Sequence, residues 1–305
     1  MTEFLIKKCS IQDNNQKPFN FIYNRFDLWQ NINQNQVQCW VYEEASKRVY
    51  FETMLENKAI HIGLWLVEMS TEVFERICSF LFSEYKFVKK ILFRNLICPV
   101  KLATQHNHFN INLPNSTEEL DKRLSSKGRY NIKREKRILT QDFGKYEVVS
   151  FSAANPETVA FWELYFKFKQ QTYQTNYNLT PEEYCKKYHV SNIYVLLLGE
   201  ERRMAAIVLS CEQCSNIFVE NLTFDPELAK YSPGQILYDE YLKALINKKV
   251  DSVFLGGGDY SYKKRYHSIE QEVYSGIVYK NLFPKLLLKL KYCIKPIYRK
   301  LVARS

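Results

Sequence analysis

Three consecutive stretches, "IFVENLTFD" (217–225), "PELAKYSPGQILYDEYLKALINKK" (226–249) and "SVFLGGG" (252–258), read as strand, helix and strand. This order restricts the fold more than any other feature of the chain. Strands joined through a helix lie parallel in one sheet, and the crossover is right-handed. Two more strand-like runs, "NIYVLLLG" and "MAAIVLS", come first with short links at "EERR" and "CEQCSN", so an antiparallel meander leads into the parallel pair. Ahead of the meander stand a strand at "YEVVSF", a helix at "NPETVAFWELYFKFKQQTY" and a shorter helical stretch at "TPEEYCKKY".

The first half follows a similar order. Strand-like runs at "QCWVYEE", "RVYFETML" and "AIHIGLWLVEM" lead to a helix from Ser70 to Tyr85, then to strands near "KKILF" and "FNINLP". Between the halves, "NSTEELDKRLSSKGRYNIKREKRILTQDF" reads as one long helical connector. Ser116 opens it with Glu119 three residues on, and Leu120, Leu124, Ile132 and Leu139 mark an interrupted apolar stripe. With 305 residues and 46% hydrophobic content, the chain can pack one large domain or two ordinary ones.

The net charge of +10 is concentrated in two places. Residues 280–305 carry eight Lys or Arg and no acid, and 127–137 carry six bases against Glu135 alone. The remainder is mildly acidic, so anionic contacts are expected at these two places in preference to general polyanion affinity. For the connector, a solvated basic face and an anion-contacting one both remain open.

The start "MTEFLIKKCSIQDNN" lacks the apolar run of a secretory leader, and the eight cysteines are scattered, so reduced thiols in a cytoplasm are expected. "CEQC" (211–214) has no second pair or histidines to make a zinc site, and "HNH" (106–108) has no companion cluster of metal ligands. No apolar segment reaches the roughly 18–20 residues that a bilayer span needs.

Two short motifs carry the chemistry. In "FLGGGDYSYKKRY" (254–266) three of the nine glycines stand side by side, yet Gly258 is followed by Asp259 and Tyr260 where a P-loop has lysine and a hydroxyl. In "YSPGQIL" (231–237) Ser232 suits an N-cap, Pro233 the first helical position, and Gln235 completes a Ser-x-x-Gln box. Gly234 removes the side chain from that first turn. Such a start either simply begins a helix or offers bare amides and a partial positive charge to phosphate. Its place after a strand of an α/β sheet favours the second reading.

These motifs, with the basic "LSSKGRYNIKREKRIL" helix and in this order, resemble the GNAT acyltransferases. The resemblance is closer to the double-GNAT, FemAB-like proteins and their BioF2-like acetyltransferase-domain group. It spans about residues 113–266 and reaches the first half only in pattern. It implies an α/β fold with mixed sheets (α+β): two tandem GNAT-like halves joined by a long basic helix. Residues 1–145 would form a degenerate half including the connector (about 116–142), 146–280 the catalytic half, and 281–305 a basic amphipathic tail.

The resemblance also implies an acyl-CoA-dependent N-acyltransferase, with acetyl-CoA or another acyl-CoA as co-substrate and no metal. Tyr231, Ser232, Pro233, Gly234 and Gln235 would hold the CoA phosphates. Gly256 and Gly257 would end the second of two splayed strands, where a missing Cβ lets a thioester or acceptor come close. Glu220 matches the position of a glutamate base, on a face shared with Phe218, Leu222 and Phe224, whose apolar surface would raise its pKa. Tyr262 would protonate the leaving thiolate, with Tyr260 and Tyr266 as substitutes. Lys263 would orient an acidic acceptor or stabilise charge in the tetrahedral intermediate, and Asp259 would lie near the N-terminus of a following helix. The usual Gln/Arg-x-x-Gly-x-Gly/Ala loop is replaced here by "YSPGQ".

The implied acceptor is an amine on a small molecule or glycan precursor, such as an amino sugar of cell-envelope or polysaccharide biosynthesis. Related proteins supply two other activities for the same pattern. One is FemAB-type transfer from aminoacyl-tRNA, with the basic segments on RNA phosphate. The other is a non-catalytic, membrane-associated double-GNAT protein of the antimicrobial-peptide-resistance kind. In the tail, Leu282, Leu286, Leu290, Ile294, Ile297 and Leu301 recur at helical intervals among bases, with Pro284 and Pro296 dividing the run. That pattern suits peripheral contact with the anionic inner face of a membrane, or docking on the body of the protein.

Overall fold

The computed structural model describes residues 4–8, 37–45, 47–63, 68–101, 103–174, 179–188, 190–213, 216–258 and 262–281. In chain order the elements are β1 (Phe4–Lys8), β2 (Val37–Glu44), β3 (Lys47–Glu56), β4 (Ala59–Gly63), α1 (Thr71–Glu84), β5 (Lys90–Leu96), β6 (Thr104–Asn112), α2 (Thr117–Arg123), α3 (Ser126–Phe143), β7 (Tyr146–Ser152), α4 (Val159–Tyr173), α5 (Pro181–Tyr188), β8 (Asn192–Leu198), β9 (Arg203–Gln213), β10 (Asn216–Phe224), α6 (Pro233–Asn247), β11 (Ser252–Gly257) and β12 (Ile269–Tyr279). They form two compact units, one within residues 1–105 and 273–305, the other within 106–272.

The first unit orders its strands β1-β2-β3-β4-β5-β12. β2, β3 and β4 form an antiparallel meander, β4 and β5 are parallel, and β12 lies antiparallel to β5. α1 provides the crossover. Ser70 Oγ accepts from the Val73 amide at 3.3 Å and so starts the helix. Val73, Phe74, Ile77 and Leu81 then fall on one stripe, buried in a core with Trp40, Phe51 and Ile91.

The second unit repeats this plan with β6-β11-β10-β9-β8-β7. β8, β9 and β10 form the meander, β10 and β11 the parallel pair, α6 the crossover, and β6 the antiparallel strand beside β11. α2, α3 and α6 pack on one face of the sheet, α4 and α5 on the other. Ile236, Leu237, Tyr241, Leu242 and Leu245 of α6 are all 0% exposed. Burial of each of the four aliphatic side chains stabilises the fold by roughly 1.5–3 kcal/mol. The strands that close the two sheets are exchanged along the chain: the first unit ends on β12, whose segment paired with β5, Tyr274–Tyr279, follows the whole of the second.

Several expectations are corrected here. The connector is two helices, because Leu124 is extended (ψ 143°) and Ser125 caps a new start, accepting from Gly128 N at 3.1 Å. The strand expected near "FNINLP" begins earlier, at Thr104, so β6 takes in "HNH". No α-helix follows β11 among the described residues. Residues 262–264 form a turn and Arg265–His267 a 3-10 turn, which ends because Tyr266 and His267 take positive φ (55° and 54°) just before β12. β1 and β12 carried no expectation. The amphipathic tail from residue 282, Cys214, Asp259 and Tyr260 lie outside the described residues. No described helix is long and apolar enough to cross a membrane.

Candidate functional site

The parallel pair in the second unit is joined only at its beginning. Asn216–Phe218 register with Ser252–Phe254, and there the pairing stops. β10 continues along β9 as far as Phe224, and β11 along β6 as far as Gly257. Each strand carries an irregularity at the point of divergence, between Val219 and Asn221 on β10 and between Phe254 and Gly256 on β11. A bulge bends its strand and increases local twist. One on each side explains why the two strands splay.

Glu220 is the bulged residue of β10, which changes its surroundings from those expected. Ile217, Val219, Leu222 and Phe224 all pack in the cluster under α6, so Glu220 does not share a face with Leu222 and Phe224. It acts instead on Lys169 of α4, on the other face of the sheet. Phe218 reaches toward β11 there: a Cβ on Gly256 would lie 3.8 Å from its ring.

The α6 N-terminus also departs from expectation. Tyr231 ends a 3-10 helix, Pro226–Tyr231, and this brings Ser232 to the left-handed region (φ 53°), where its hydroxyl makes no cap bond. The hydroxyl turns to Glu135 of α3. Gln235 does not complete a capping box, because its side-chain oxygen accepts from Arg265. The amides of Ser232, Gln235 and Ile236 donate to Ala229 O, Ser232 O and Ser232 O at 3.1, 2.9 and 3.2 Å. Pro233 has no N–H, so at most the Gly234 amide is left for a ligand. Gly234 is itself buried, and a Cβ there would meet Leu222 and Phe224 at 3.2 Å. The glycine is needed for packing.

Around this turn, burial raises the Glu135 pKa while Ser232, Arg265 and Arg134 pull against it, and its Oε2 is buried without a hydrogen bond. Tyr231 is anchored by donating to Asp142 at 2.7 Å. Glu135 and Arg265 therefore flank the helix start, with Arg134 acting on Glu135; sequence reasoning offered the basic 127–137 segment, which holds Arg134, as an anion contact but singled out neither Glu135 nor Arg265.

The triple glycine answers to two constraints. Gly256 and Gly258 have φ of 66° and 96°, which residues with a Cβ adopt only under strain. Gly257 pairs with His108 of β6, whose Nε2 would stand 3.3 Å from a Cβ at that position. That space is filled by the imidazole and is not open to a substrate. Lys263 is 3% exposed and donates to the carbonyls of Gly256, at 3.3 Å, and Gly257. It anchors the end of β11, and burial pushes its pKa down to about 8. The Tyr262 ring stands edge-on to Tyr238 at 5.2 Å, half-buried at the end of the strand. Tyr266 is buried and donates to Asp239 at 2.7 Å, so it cannot substitute for Tyr262.

His108 is held neutral. Burial, then the charges of His106 and Lys263, lower its pKa to about 4. Between about 6.5 and 4 the unfolded chain binds a proton that the folded chain refuses, so stability falls as pH drops through that window. The full effect is on the order of 3 kcal/mol. His108→Gln is expected to flatten the acid limb of a plot of melting temperature against pH. An unaltered limb would show that His108 is not responsible.

Among the described residues, no group of three or more His, Cys, Asp or Glu could hold a metal ion. Lys169, His108, Asp225 and Asp239 are buried ionisable groups that sequence reasoning did not single out. Lys169 had a signal: it continues the spacing of Trp162 and Tyr165 along the buried stripe of α4, where an apolar residue belongs.

Residues 126–264 match the family model for the acetyltransferase (GNAT) domain. Among solved structures, the fold is similar to FemX, at 7% identity and a TM-score of 0.54, covering 88% of this chain and 96% of that one. It is also similar to L-PGS from Bacillus licheniformis (10%, 0.51, 87% of each chain). A conserved protein of unknown function from Bacteroides thetaiotaomicron is similar as well (10%, 0.52, 90% of this chain and 100% of that one). At such identities the likeness is one of fold. No curated protein sequence matches the chain.

Proposed function

We propose that the chain transfers an acyl group from acyl-CoA to an amine, a reading supported by the match of residues 126–264 to the family model for the acetyltransferase (GNAT) domain. The observation that carries this reading is the divergence of β10 and β11 after Phe218 and Phe254. Past that point the edge of each strand that faces the other is no longer paired to it. Main-chain N–H and C=O groups there, other than the Gly256 and Gly257 carbonyls that Lys263 takes, would be available to the amides of an extended pantetheine arm. The start of α6, with the Gly234 amide, Arg265 and Arg134, would receive the CoA phosphates.

Glu220 would take one proton from the acceptor's ammonium. The neutral amine then attacks the thioester carbon, the C–N bond forms, the C–S bond breaks, Tyr262 would give its hydroxyl proton to the departing thiolate, and the proton still carried by the attacking nitrogen would pass to the Tyr262 phenolate to leave the amide. Lys263, tied to the strand-end carbonyls, would fix the turn that presents Tyr262. An amino sugar of envelope or polysaccharide biosynthesis is the acceptor class we favour, with the reaction at the cytoplasmic side of the membrane.

Thermal-shift measurements with acetyl-CoA, longer acyl-CoAs and charged tRNA test the donor. A ligand at one hundred times its Kd stabilises the folded state by about 2.7 kcal/mol, and only a ligand that binds it does so. A rise in melting temperature with a CoA species is expected. A response to charged tRNA alone would replace acyl-CoA by aminoacyl-tRNA, and no response to any CoA species would remove the reading.

A further inference from the structure

Lys169 is 5% exposed, on a helix whose other inward residues are apolar: Trp162, Tyr165 and Phe168 are 1%, 0% and 4% exposed. A lysine placed there costs stability unless it meets an opposite charge. The charge that meets it is Glu220, across the α4–β10 packing. Glu220 stands on the bulge that ends β10's alternation, at the level where β10 leaves β11. The bulge turns Glu220 away from the α6 face, whose neighbours are Val219 and Leu222, and toward α4. Two features that each weaken a fold, an interrupted strand ladder and a buried ammonium, therefore occur at one point.

We propose that Lys169 is the positioning residue of the transfer: its ammonium holds the Glu220 side chain, as a carboxylate, at the mouth of the splayed strands. This rests on Glu220 being the proton acceptor of the proposed reaction. Lys169 touches neither donor nor acceptor, and it acts through Glu220. Burial pushes its own pKa down to about 8, against the pull of the Glu220 charge.

The test uses the full chain with Lys169→Met, Lys169→Arg, Glu220→Gln and the double variant Lys169→Met/Glu220→Gln. In a side-chain NMR titration, Glu220→Gln should move the Lys169 midpoint to lower pH, because a favourable charge is lost. An unmoved midpoint overturns the pairing. Thiol release from acetyl-CoA, with D-glucosamine as amine, gives the second readout. Lys169→Met should lower kcat about tenfold or more with KM for acetyl-CoA unchanged. Lys169→Arg should recover part of the loss, and the double variant should be no slower than Glu220→Gln. Additive losses, or a Lys169→Met rate equal to the unmodified protein's, would make the pair structural and overturn the proposal. Thermal shift of each variant with acetyl-CoA separates the two ideas. If the unmodified protein shows no shift, the acyl-CoA reading fails, whatever the NMR titration shows of the pair.

Discussion

Glu220→Gln is expected to lower turnover by roughly 10²–10⁴-fold, the range spanned by the loss of a general base. The substitution keeps the size of the side chain and one acceptor oxygen, and removes the capacity to take a proton. The backbone bulge at this position is set by pairing to β9 on either side, Val219 with Ser210 and Asn221 with Leu209, so the strand should hold its shape. Acetyl-CoA binding should therefore persist while the rate falls. Stopped-flow measurement of thiol release, with the amine that supports turnover, separates the two quantities. A variant that turns over at the original rate would remove Glu220 from the chemistry.

The second large effect concerns stability. Asp239 of α6 is 0% exposed and accepts from Lys136 of α3 at 2.6 Å and from the Tyr266 hydroxyl at 2.7 Å. Lys243 lies 3.2 Å away and also reaches Asp121. Burial alone would raise the Asp239 pKa, but Lys136, Tyr266 and Lys243 together hold it below the ordinary carboxylate value. Asp239→Ala would leave a buried hydroxyl unpaired and deprive two lysines of their shared counter-charge. Removing one partner of a buried pair costs about 3–5 kcal/mol. The lower end is expected here, because Lys136 keeps Glu240 at 2.5 Å. Asp239→Asn should cost less, since it can still accept from Tyr266. Equilibrium denaturation followed through Trp162, the tryptophan of the second unit, gives the comparison. Equal stability of Asp239→Ala and the unmodified protein would refute the claim.

The parts of this molecule that were legible in the sequence are those whose information is local. The meander at 192–224 shows as apolar runs broken by turn residues, and α6 as a helix that Pro233 can begin. Both signals act over a few residues. The exchanged strands were illegible for the opposite reason. Nothing in "IEQEVYSGIVY" says that it will pair with Lys90–Leu96, far back in the chain. The bulge at Glu220 deceived in a different way. Strict alternation assigns residues 218, 220, 222 and 224 to one face, and one extra residue moves the last two to the other. Ser232 has the right identity for a cap, but the 3-10 helix before it imposes a backbone angle that turns its hydroxyl elsewhere. Gly257 was read for the room it leaves to a ligand, and His108 takes that room.

The exchange of closing strands sets an order of events during synthesis. As the chain leaves the ribosome, β5 is finished early, but the segment that covers its flank, Tyr274–Tyr279, is made only after residues 106–272. Until then β5 presents a bare row of amides and carbonyls, an invitation to pair with another nascent chain. A fragment that stops anywhere before β12 keeps that flank permanently open. The later unit therefore stands guard over the completion of the earlier one, and a lesion that delays its emergence lengthens the exposure.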